Sequence, residues 1–144
     1  MQRPALLVLP VVVLSAAIVQ LRTLHAYETV RDGLGLDLAA LLELSRISWS
    51  LTAAVGLAAI GYVYGTRARS EPRHVVGVAT VAALAGVLVG NLLLWLSTDV
   101  SWGSELVSMP AFFGLYSALE ALTFGLIVGG GYALTLDAQS RLSR

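Results

Sequence analysis

The sequence predicts an all-α membrane protein: one integral membrane domain spanning residues 1–144, built as a four-transmembrane-helix bundle. Both termini are expected to be cytoplasmic, with a helical extension of the first hairpin on the outer side. Three observations predict this. The chain is 57% hydrophobic and 12% charged, against about 45–50% apolar and about 25% charged in soluble domains. Its charges are segregated, because residues 5–21, 47–66, 75–97 and 109–136 together contain a single charged residue, Glu120. Its arginines are unevenly divided between the two sides that four spans would create.

Each stretch is near the roughly 20 helical residues that cross a hydrocarbon core about 30 Å thick. Lipid offers the backbone no hydrogen-bonding partner, so such stretches must be helical. The short alternating segments of a membrane β-barrel are absent. The nine basic residues are all arginine and are matched by nine acids. That balance argues against nucleic acid as a partner, and the composition argues against a disordered chain or an ordinary cytosolic enzyme. The chain has no cysteine, which excludes thiol redox chemistry and cysteine-ligated iron–sulfur clusters.

The first stretch also fits a cleavable signal peptide, with Arg3 ahead of the apolar run and Ser15 and Ala17 at small-residue positions. The run continues through Gln20 and Leu21 into a helical tail, which favours a span. Pro10 is expected to kink that helix rather than end it. Its row of Val11, Val12, Val13 and Leu14 suggests a peripheral place in the bundle.

The outer connection, 22–46, is too long for a tight turn and too polar to be buried. Apolar residues recur at helical spacing on both sides of Asp32-Gly33-Leu34-Gly35-Leu36-Asp37. A glycine stop followed by a capping aspartate predicts one helix ending near Asp32 and another starting at Asp37. His25, Glu28, Asp32, Asp37 and Glu43 gather there, but without a paired histidine or a cysteine a solvated polar face is the expectation, not a metal site. His74 belongs to the other side, which disfavours a haem held by two histidines.

Residues 66–74 read as a short cytoplasmic hairpin, with Pro72 suited to the first turn of the third helix. The arginines there set topology and could touch anionic headgroups. Six arginines (3, 67, 69, 73, 141 and 144) share that side with two acids, while three arginines share the other with six acids. This is the positive-inside pattern. Trp49, Trp95 and Trp102 mark the outer interface, with Tyr62 and Tyr64 toward the inner one. Arginine-only basic residues with abundant Ala, Gly and Val suggest a prokaryotic plasma membrane as the location.

Within the spans, small residues recur at intervals of three and four: Ser50, Ala54, Ala58, Gly61 and Gly65; Ala82, Gly86 and Gly90; Gly114, Ala118, Ala121, Gly125 and Gly129. Such rows let helix backbones approach closely in lipid. Intramolecular packing is the expectation, with a subunit interface as the alternative. Gly129-Gly130-Gly131 is expected to be a flexible point, a closely packed one or a local break, since no phosphate-loop residues follow it.

Glu120 carries the functional hypothesis. It should lie about 12–16 Å along the fourth span, near the bilayer middle, where an ionisable side chain normally faces protein or a water cavity. Asn91 is its expected partner, Thr52 the next, and Ser117 flanks it; together they form a candidate intramembrane polar site. The leading role for Glu120 is a structural interhelical hydrogen bond, and the alternative is a proton or cation relay. Two functions follow: a non-enzymatic accessory or assembly subunit, or a small oligomeric transporter or channel using Glu120 with Asn91. No catalytic constellation, cofactor motif or metal-ligand spacing stands out. The expected partners are the lipid bilayer and either further copies of the chain or a partner membrane subunit.

Overall fold

The computed structural model describes residues 5–31, 38–67, 68–97 and 110–142, with side chains over 6–20, 47–93, 96 and 114–138. Four helices account for nearly all of it: α1 (Ala5–Arg31), α2 (Leu38–Arg67), α3 (Pro72–Ser97) and α4 (Pro110–Leu142). Three contain stretches long and apolar enough to cross a membrane: Ile47–Arg67, Pro72–Leu93 and Gly114–Ala138. The apolar stretch of α1, Leu6–Gln20, is shorter. The chain is thus an all-α bundle and a multi-pass membrane protein.

The sequence features explain the helix ends. Pro72 opens α3, where its missing N–H costs nothing. Just before it, the Glu71 carbonyl accepts from the N–H groups of His74 (2.9 Å) and Val75 (3.1 Å). Pro10 sits inside α1 without ending it. Helix α1 is described to Arg31 and α2 from Leu38; the expected stop and cap residues, 32–37, lie outside the described residues.

Packing sets the helices around a ring in the order α1, α2, α4, α3. Neighbours α1 and α3 run parallel, as do α2 and α4, whereas α1–α2 and α3–α4 are antiparallel. The 68–71 connection therefore crosses the bundle's diagonal instead of turning between neighbours, unlike the hairpin expected for 66–74. Two tyrosines hold the crossing. The Tyr132 hydroxyl donates to the Ser70 carbonyl (2.5 Å) and accepts from the Ser70 N–H (2.8 Å). Tyr64 shares a hydrogen bond with the Ser70 hydroxyl (3.1 Å), and the two rings lie 6.1 Å apart. Tyr64 is buried in this cap and not part of an interfacial belt, while Tyr62 is exposed.

The core also corrects the peripheral place expected for α1. Leu7, Val11, Ser15, Ile18 and Val19 are all buried. The small side chains Ser15 and Ala16 let α3 come close: a methyl group at Gly86 would lie 2.8 Å from Ser15 Cβ, and one at Gly90 would lie 2.8 Å from the Ala16 carbonyl oxygen. Across the ring, methyl groups at Gly61 and Gly131 would strike the carbonyls of Val128 and Ala58. Close packing of this kind stabilises helices in lipid, where apolar burial from water no longer drives association.

The row expected on the fourth span divides. Ala121, Gly125 and Gly129 are buried, but Gly114 and Ala118 are exposed. The triple glycine lies inside continuous helix. Gly129 fits against Val76 of α3 and Gly131 against Ala58 of α2, while Gly130 faces open space. It is a wedge point where α4 meets both neighbours.

Candidate functional site

Helix α4 turns through 100° per residue, so neighbouring residues on it serve different neighbours. Gly125 and Gly129 face α3, through Thr80 and Val76, whereas Val128, Gly131 and Thr135 face α2. By this register Glu120 lies on the α2 flank of α4, eleven residues before Gly131. The α2–α4 contacts pair Gly65 with Thr135 and Gly61 with Val128 and Tyr132. Carried back along two parallel helices, that offset sets Glu120 level with Ser50, at the far end of the small-residue row of α2. Glu120 is half-buried and engaged with its surroundings.

The other candidates have separate environments. Asn91 is half-buried on the α4 side of α3, and its amide donates to the Val87 carbonyl one turn back (2.8 Å). Thr52 is exposed, and its hydroxyl donates to the Ser48 carbonyl (2.9 Å). Both side chains thus bond to their own helices, as Ser and Thr commonly do in apolar surroundings. The described hydrogen bonds join neither Asn91 nor Thr52 to Glu120. Thr123, one turn beyond Glu120, does the same toward Leu119 (2.9 Å).

Ser117 is different. It is 1% exposed, and its hydroxyl has no hydrogen-bond partner. The same holds for Ser15 on α1, fully buried, and for the hydroxyl of Thr80 on α3. A buried hydroxyl without a partner costs about 1–3 kcal/mol. Ser117 is one helical turn before Glu120 and about 60° from it around α4, pointing toward the bundle axis. The site that emerges is therefore a carboxyl on the α2 flank beside an orphaned hydroxyl on the axis. Sequence reasoning ranked Asn91 and Thr52 first because they were the polar residues at similar depth. Ser50 was legible only as part of a packing row, and the parallel α2–α4 register that raises it had no sequence signal.

The other polar groups fall outside this geometry. His25, Glu28, Asp32, Asp37, Glu43 and Trp102 lie outside the residues whose side chains are described, as does the side chain of Trp95. Among the described residues no three His, Cys, Asp or Glu side chains come together. At the other end of the bundle Glu71 pairs with Arg73 (2.7 Å), both well exposed, a contact worth little in water. No protein-family model, curated protein or solved structure matches this chain.

Proposed function

We propose that the chain is a four-span plasma-membrane protein serving as a non-enzymatic accessory or assembly subunit. In this reading both termini and the 68–71 crossing face the cytoplasm. The observation that carries the proposal is the closure of the bundle. Glycines at 61, 65, 86, 90, 125, 129 and 131 bring helices together, and the axis is filled by Val11, Leu57, Ala83, Val87 and Val128, each fully buried. The Tyr64–Ser70–Tyr132 cap closes one end. In this reading so closely packed a bundle acts through its outer surface. The arginines at the capped end support the orientation.

The test is the size and composition of the particle extracted from native membranes in mild detergent. The subunit reading expects a defined complex with a second membrane protein, reproduced when both are co-expressed. A particle holding this 15.1 kDa chain alone, with full function on reconstitution, overturns it. A cytoplasm-only reporter fused after Arg144 should fluoresce; a dark reporter with proven expression reverses the orientation.

A second reading is favoured by one specific observation, the orphaned Ser117 hydroxyl one turn from Glu120. A carboxyl beside an unsatisfied hydroxyl suits a proton or cation relay in a small oligomeric transporter. Glu120→Gln would keep a structural hydrogen bond and abolish proton coupling. Full coupled uptake by that variant would count against the relay.

A further inference from the structure

The four seams of the bundle are not equally filled. Between α1 and α2, at the end that carries the 68–71 crossing, an open cleft of about 290 Å³ remains. Leu6 and Pro10 form one wall; Ala59, Ile60 and Val63 form the other, with Tyr64 beside them. Among the described residues lining it, only Arg67 brings charge, at the end of the cleft nearest the membrane surface. The cleft exists because this seam joins a proline-bearing turn of α1 to the short side chain of Ala59, and its glycine, Gly56, lies farther along the seam against Leu14.

We propose that this cleft seats an acyl chain of an anionic phospholipid, whose phosphate pairs with Arg67. The chemistry of the two ends differs as the two ends of such a molecule do: five apolar residues along the first two turns from the surface, then a guanidinium at the edge. Arg67 is exposed, and among the described residues it has no ion pair. The nearby carboxylate of Glu71 is already held by Arg73. A guanidinium with its donors free matches a phosphate bidentately. A second copy of the chain is the competing occupant. Two-fold pairing through this face would bring each Arg67 toward its equivalent, opposing like charges, so charge favours the lipid. The proposal rests on the membrane placement of α2 and is independent of the subunit and relay readings.

The experiment is native mass spectrometry of the purified full-length chain. It is titrated with phosphatidylglycerol and, separately, with phosphatidylcholine of identical acyl chains. The expected result is preferential retention of phosphatidylglycerol. Arg67→Gln should lower that retention by about fivefold, the effect of one basic group at an anionic surface. Arg67→Lys should retain most of it, and Arg73→Gln should leave it unchanged. Ala59→Phe, which fills the cleft, should reduce retention of both lipids while the thermal midpoint shows the bundle still folded. Equal retention of the two lipids, or equal losses from Arg67→Gln and Arg73→Gln, overturns the proposal. So does efficient disulfide-linked dimerisation of an Ala59→Cys variant in native membranes, which assigns the face to a second copy; this background contains no other cysteine.

Discussion

The seam between α2 and α4 and the seam between α1 and α2 share one helix but are built on opposite principles. Along the first, Gly61 and Gly131 bring backbone against backbone, so a methyl group at either would collide with a carbonyl that cannot move aside. Along the second, a methyl group at Gly56 would meet only the Cδ2 end of Leu14, at 2.9 Å, and the seam opens into a cleft toward Arg67. Two faces of one helix can thus be rigid and accommodating. The difference is whether the opposing atoms belong to a helix backbone or to a side chain with rotamers to spare.

The most severe way to test this contrast is Gly61→Leu. We expect a loss of about 3 kcal/mol or more, beyond ordinary overpacking, read as a large drop in thermal midpoint or as failure to recover folded protein. Gly56→Ala, on the other seam, should cost well under that, because Leu14 can shift. Similar losses for the two variants would erase the distinction. Next in size is Tyr132→Phe, which strips both hydrogen bonds from the Ser70 backbone. Leaving that N–H and carbonyl unpaired should cost about 1–3 kcal/mol and speed proteolysis of the 68–71 crossing. A smaller effect of opposite sign is expected for Ser15→Ala, since its buried hydroxyl has no partner. Stability should stay equal or rise by up to about 1 kcal/mol; a clear loss would reveal a bound water or ligand at that hydroxyl. Smallest is Gly130→Ala, where nothing opposes a methyl group. The better helix former should add about 0.5–1 kcal/mol, measurable as a raised midpoint beside the collapse caused by Gly61→Leu.

Much of this architecture was legible in the residues. The apolar stretches lie within the four helices, and Pro72 opens the third of them. The rows at Gly61 and Gly65 and at Gly86 and Gly90 became seams. The order of helices around the ring was not legible. A soluble helix announces its inward face by an apolar stripe, but a lipid-facing side is as apolar as a buried one. The valines of α1 therefore looked peripheral, and the clue was the small pair Ser15–Ala16 set among them. Tyr64 and Tyr132 are 68 residues apart, and their meeting on Ser70 required the diagonal crossing. The polar residues are harder to read for a related reason: Asn91 and Thr52 each donate to a carbonyl of their own helix, so similar depth alone does not identify a partner for Glu120.

The diagonal crossing has a consequence for how the chain is made. Of the four helices, the two that emerge from the ribosome before the others, α1 and α2, share the weakest seam of the bundle. The backbone-close glycine contacts of α1 and α2 are made with α3 and α4, which arrive later. We expect the first pair to stay adjustable during insertion and to be clamped when α3 and α4 pack beside it. Truncation after α3 should then leave α2 unclamped and exposed to membrane quality control, however well α1 and α3 have already joined.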